Sequence, residues 1–185
     1  MMQLVKPSLA LLPAFTEALR RGWSPDNIRG YEAALEQIEK IEADAAAFVE
    51  SLDDIEAKGE PVKLPDGSLV ARLPGYHRWI WDGEFCGSIG FRWLPGTSAL
   101  PPHVLGHVGY AVVPWKRGRG YAGRALMLLL PEIRKRGLNY IELTVDPDNI
   151  ASQRAIVACG GVFVERFNEP AAFGGLESLR FRIDL

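Results

Sequence analysis

The sequence predicts an α/β protein, with an enlarged helical N-terminal region ahead of a core in which strands and helices alternate. Three patterns carry that reading. Apolar residues recur every three or four positions from Ile28 to Ile55, the period of an amphipathic helix. From Tyr76 the pattern turns strand-like on either side of Asp82-Gly83, a dipeptide that favours tight hairpins. From His107 a strand, a glycine-rich turn, a helix, a strand and a second helix follow in order. With 185 residues, 48% hydrophobic and 24% charged, the chain can bury its own core, which excludes disordered and fibrous classes. Residues 1–185 read as one domain, with an N-terminal part over 1–75 and a core over 76–185.

Gln3 to Lys6 reads as a short strand closed by Pro7. Ser8 then caps a helix with Leu9, Leu12, Thr16 and Leu19 on one face, stopped at Gly22. Ser24-Pro25 repeats the start signal, a capping residue followed by proline at the first helical position. The next helix, unbroken to Lys58, would run about 50 Å, too long for this domain. A break is therefore expected near Ser51, which would cap a second segment. Residues 59–75, rich in proline and glycine, read as a loop. Tyr76–Trp81 and Glu84–Leu94 form the hairpin, and a second loop over 95–106 leads to a strand at His107–Val113. A helix from Gly120 to Arg136 should kink at Pro131 and end at Gly137. The strand Asn139–Val145, a helix from Asn149 to Cys159, and the strands Val162–Phe167 and Ser178–Asp184 complete the chain.

The net charge of −2 gives no basic footprint for nucleic acid or a membrane surface. It hides an asymmetry: residues 26–60 carry eleven acids against three bases. That run is either a solvated helix face or a lure for a cationic substrate. Cys86 and Cys159 form neither a disulfide framework nor a ligand pair. His103 and His107 lie in a Pro/Gly-rich stretch, so no metal site is expected. The longest apolar run, Ala125–Pro131, is too short for a bilayer, and Leu9–Phe15 is too interrupted for a signal peptide. The chain reads as cytoplasmic.

Chemistry concentrates in Gly109-Tyr-Ala-Val-Val-Pro-Trp-Lys-Arg-Gly-Arg-Gly-Tyr-Ala-Gly123. Glycines let backbone N–H groups converge on a ligand, the helix N-terminus adds positive potential, and Lys116, Arg117 and Arg119 add charge. This is a pyrophosphate site. Gly118, Gly120 and Gly123 literally satisfy GxGxxG, with Glu142 nineteen residues on, as a dinucleotide fold asks. Yet four residues, Pro114 to Arg117, separate strand from first glycine, and too few helix–strand units follow for a doubly wound sheet.

Arg117-Gly-Arg-Gly120-Tyr-Ala122 resembles the [Q/R]-x-x-G-x-[G/A] coenzyme A loop of the GNAT acetyltransferase superfamily. Asn149-Ile-Ala-Ser152-Gln-Arg154, followed by Gly160-Gly161-Val-Phe163, is similar to its N-x-x-S-x-R…G-F block, at a separation that holds one helix and one strand. The resemblance covers 76–185 closely and 1–75 loosely. It implies the acyl-CoA N-acyltransferase fold, a mixed, mostly antiparallel sheet with helices on both faces. It implies acetyl-CoA as co-substrate and no metal. It implies as acceptor a primary amine on a small molecule or on a peptide or protein; no nucleic-acid or membrane partner is expected, and a homodimer is compatible with it. Residue by residue, Arg117, Gly118, Arg119, Gly120, Tyr121 and Ala122 would hold the pyrophosphate. The backbone of Ala111, Val112 and Val113 would pair with the pantetheine arm, which Asn149 and Ser152 would also hold. The family's tyrosine acid falls at Ile156, so none is assigned. His107, Glu142 and Tyr110 are the candidate catalytic groups, His107 equally readable as structural. The alternative function is a non-catalytic acyl-CoA sensor or interaction module.

Overall fold

The computed structural model describes all 185 residues. In chain order, β1 (Gln3–Val5) precedes three helices, α1 (Leu12–Arg20), α2 (Tyr31–Ala43) and α3 (Ala45–Ser51). The short β2 (Asp53–Asp54) and the small hairpin of β3 (Val62–Lys63) and β4 (Leu69–Val70) come next. The core follows as β5 (Gly75–Trp81), β6 (Phe85–Arg92), β7 (Val108–Val112), α4 (Tyr121–Arg134), β8 (Tyr140–Val145), α5 (Ile150–Ala158), β9 (Val162–Asn168) and β10 (Glu177–Asp184).

These strands build a sheet split in two. One half orders β1-β5-β6-β7, with β2 also on β5, and the other orders β8-β10-β9; every pairing is antiparallel. The halves meet at one joint, where the His107 N–H donates to the Glu142 carbonyl (2.8 Å) and the Glu142 N–H donates to His107 Nδ1 (2.9 Å). Beyond it β7 and β8 share no backbone hydrogen bond, so the strands splay. Helices cover both faces. Phe15 of α1 stacks on Trp79 (5.0 Å between centroids), and Phe48 of α3 and Phe85 complete that layer. On the opposite face Leu126, Leu129 and Ile133 of α4 and Ile156 of α5 pack on Ile80, Ile89, Ile141 and Leu143. No helix is long and apolar enough to cross a membrane.

Element boundaries shift where side chains compete for backbone groups. Asp26 Oδ1 accepts the N–H groups of both Ile28 and Arg29 (2.8 Å each), an Asx turn that keeps residues 24–30 out of the helix. α2 begins only after Gly30, whose φ of 57° redirects the chain. The expected break falls at Asp44, whose Oδ1 caps α3 through Ala47 N–H (2.9 Å); Ser51 instead donates back to the Phe48 carbonyl (2.7 Å). The 59–75 loop holds the β3–β4 hairpin, and α4 passes through Pro131 as one helix. The doubled glycine divides its labour. Gly160 (φ 89°) ends α5, while a Cβ on Gly161 would sit 2.4 Å from Ile156 Cγ2.

Candidate active site

Physical chemistry starts at the turn between β7 and α4. After Val113 a single 3-10 turn, Pro114–Lys116, redirects the chain, and Gly118 (φ 75°) and Gly120 (φ 71°) take left-handed conformations that favour glycine. Gly120 caps α4 with no side chain to offer. The N–H groups from Gly118 to Gly123 consequently find no acceptor in the protein, six donors in succession converging at a helix N-terminus. Nothing lies within 4 Å of where a Cβ on Gly118 or Gly120 would be, so the concavity is open. Gly118, Arg119, Gly120, Tyr121 and Ala122 all contribute to it; the Arg117 N–H is spent on the Pro114 carbonyl (3.3 Å).

The turn is braced from outside. Lys116 is buried and its ammonium bonds Asp82 (3.1 Å) and Glu84 (2.7 Å), so its charge faces the hairpin rather than a ligand. The Tyr121 hydroxyl donates to Asp82 Oδ2 (2.5 Å). That hydrogen bond, aided by Lys116, holds the Asp82 carboxyl well below the usual carboxylate range despite its desolvation. Arg21 stacks on Trp115 (3.5 Å), tying the turn to α1. Arg117 and Arg119 remain exposed and free of carboxylate partners.

Pleat geometry sorts the splayed edge of β7. The Val113 N–H donates to the Cys86 carbonyl (2.9 Å), and the Ala111 carbonyl points at Gly87, so Ala111 and Val113 spend their backbone on β6. Tyr110 and Val112 turn theirs toward the gap. Both of their carbonyls are taken, by Asn27 Nδ2 (2.9 Å) and Arg117 Nε (3.2 Å), which leaves the Tyr110 and Val112 N–H groups as unpaired donors. Across the gap, Asn149 Oδ1 caps α5 through the Ser152 N–H (3.1 Å), leaving the Asn149 amide nitrogen and the Ser152 hydroxyl without protein partners. The Tyr110 hydroxyl reaches the Ser152 carbonyl at a long 3.4 Å, and burial pushes its pKa up.

The candidate bases are placed differently. His107 is fully buried with Nδ1 occupied by the Glu142 N–H, and burial brings its pKa down to about 4. It is a neutral peg in the joint between the half-sheets. The Glu142 carboxylate is gripped by Arg182 (2.7 Å) and Arg180 (3.2 Å) and is nearly buried. Ile156 points into the core, 1% exposed. Two residues that shape this site carry no functional signal in the sequence: Asp82 reads only as a turn residue, and Asn27 has no local signal.

The acidic run is neutralised in part by neighbours. Glu36 and Glu32 pair with Arg29 (2.5 and 3.4 Å), Glu42 with Arg20, Asp53 with Lys6 and Asp54 with Arg72.

Residues 30–160 match the family model described as Acetyltransferase (GNAT) family. No curated protein matches by sequence. Among solved structures, the chain is similar to the microcin C7 self-immunity acetyltransferase MccE in complex with acetyl-CoA and AMP. That likeness has a TM-score of 0.61 and 14% identity, and covers 100% of this chain and 92% of that one. The ribosomal L7/L12 α-N-protein acetyltransferase RimL in complex with coenzyme A gives 0.62 and 13%, covering 100% and 94%. Mycobacterium smegmatis RimJ, in complex with CoA-disulfide, gives 0.60 and 17%, covering 99% and 81%. At such identities these structures show a common fold, while the family match spans most of the sequence: the chain belongs to the acetyltransferase (GNAT) family and so to the acyl-group transferases.

Proposed function

We propose that the protein is an acetyl-CoA-dependent N-acetyltransferase acting on a primary amine. The observation that carries this reading is the run of six unpaired N–H groups from Gly118 to Gly123, beside a β7 edge stripped to donors. The first fits a pyrophosphate and the second the carbonyls of an acyl-pantetheine arm. Arg117 and Arg119 add charge to the phosphate site, and the free Asn149 amide and Ser152 hydroxyl line the other side of the gap. That RimL and RimJ structures hold coenzyme A and MccE holds acetyl-CoA supports the same choice of co-substrate.

The amine nitrogen attacks the thioester carbonyl carbon, the C–S bond breaks, and the acetyl group ends on nitrogen, which gives up its second proton to solvent to leave the neutral amide. The Val112 or Tyr110 N–H stabilises the oxyanion, and the thiolate leaves with its electron pair. Tyr110, protonated at neutral pH, lies on the gap and supplies the thiolate's proton, which water restores. With His107 sealed and Glu142 ion-paired, the ammonium loses its proton to solvent before attack. The protein's main contribution is positioning.

The test couples release of free CoA thiol to an amine panel, with the acetylated product identified by mass. Tyr110→Phe should lower kcat roughly 100-fold while leaving acetyl-CoA affinity unchanged. The rate should rise with pH up to the acceptor's own amine pKa and level off there, without an imidazole step. Saturable acetyl-CoA binding with no turnover across the panel would favour a binding module instead.

A further inference from the structure

The face of the first half-sheet under α1–α3 holds a second polar cluster that the acetyl-transfer groups do not use. Arg92 and His77 both keep solvent access as residues, yet burial draws the pKa of each down, that of His77 to about 4. Both side chains stand on the exposed part of this face, over strands whose backbone is left bare by Gly90 and Gly109. A Cβ on Gly90 would lie 2.7 Å from the His77 ring, and one on Gly109 would lie 3.7 Å from Arg92 Nη2.

Arg92 is held by one hydrogen bond, Nε to the Gly106 carbonyl (2.8 Å), which fixes the plane of the guanidinium and leaves its outer nitrogens without an acceptor. Arg29, Arg180 and Arg182 each meet a carboxylate directly, whereas Arg92 makes no ion pair. The counter-charge nearest in effect, Asp26, spends one carboxylate oxygen on its own turn. His77 is neutral and the Arg72 charge lies in the same direction, paired with Asp54. An oriented guanidinium with no carboxylate partner is a fork for a planar anion.

The geometry points to an acceptor that carries a carboxylate, bound by Arg92, with its amine directed toward the donor edge of β7. This rests on the acetyltransferase reading above. Gly109 is one to three residues from Tyr110 and Val112 along β7, so amine and carboxylate are separated by roughly 3 to 10 Å. An amino acid, an ω-amino acid or a short acidic peptide fits; a bare polyamine does not. Arg92 thus reverses the cationic preference that the acidic run alone invites.

The experiment compares glycine, γ-aminobutyrate and short peptides with their carboxamides, which differ only in the anion. Binding to the protein–CoA complex is measured by calorimetry, which needs no turnover, and acetylation is measured separately. Wild type should prefer the carboxylate members about 10- to 100-fold. Arg92→Gln should erase that preference through KM, with Arg92→Lys partly restoring it and acetyl-CoA affinity unchanged. Gly109→Val, at an unstrained φ, should crowd the outer nitrogens of Arg92 and have the same effect. Equal affinity for carboxylates and carboxamides in wild type, or an indiscriminate loss in Arg92→Gln, overturns the anion site. Anion-selective binding without acetylation keeps the site and removes the catalytic reading instead.

Discussion

At the scale of single residues, His107 illustrates how placement decides chemistry. A histidine at a strand start reads equally as base or as structure; its neighbours decide. Here the backbone N–H of Glu142 fills Nδ1 and the core surrounds the ring, so protonation has no favourable outlet. The unfolded pKa is near 6.5 and the folded one about 4, so the unfolded state binds the proton first. Stability is therefore full above pH 6.5 and lost as pH falls through the window from 6.5 to 4. Between pH 7 and pH 5 that loss amounts to about 2 kcal/mol. His77, also brought down to about 4, adds a like share in the same window, so His107→Asn, which keeps an acceptor and removes one titration, should roughly halve the slope, as urea midpoints at the two pH values would reveal. A slope that persists unchanged would deny His107 that role. Glu142 is also legible in sequence only as an acid; its two arginines lie 38 and 40 residues downstream, beyond any local pattern.

At the scale of elements, the strand–turn–helix from Val108 to Arg134 was the most legible part, because its glycines and bases are local signals of a local job. What the motif could not convey was the sorting of its donors: six N–H groups free, that of Arg117 spent, and Lys116 turned outward to Asp82. Gly120→Glu places a carboxylate in the open anion concavity, at a left-handed φ that costs a side chain roughly 1–2 kcal/mol. The variant should fold with a modest loss of stability and lose its thermal response to acetyl-CoA. A response equal to wild type would remove the turn from the site. The N-terminal helices were less legible, since Asp26 and Asp44 redirect the backbone through single side-chain bonds that periodicity does not register.

For the whole molecule, function follows from one discontinuity. Two antiparallel half-sheets share only the His107–Glu142 joint, and their divergence opens backbone donors on β7 facing the start of α5. Element order made the α/β class and its helical extension readable. The relation between the half-sheets was not, because it depends on one histidine, one carbonyl and the approach of Gly106 to β8. The charge asymmetry likewise changed meaning in three dimensions: acids of the 26–60 run pair with Arg29, Arg20, Lys6 and Arg72, while the exposed Arg92 makes no ion pair. The most direct measurement is a calorimetric and thermal titration of the free protein with acetyl-CoA, CoA and NADH. One saturable acetyl-CoA site is expected, adding about 2.7 kcal/mol at a hundredfold excess over Kd, or roughly 5 to 10 °C in Tm. No binding of any CoA species, or stabilisation by NADH alone, would contradict the acetyltransferase reading and return the glycine turn to a dinucleotide.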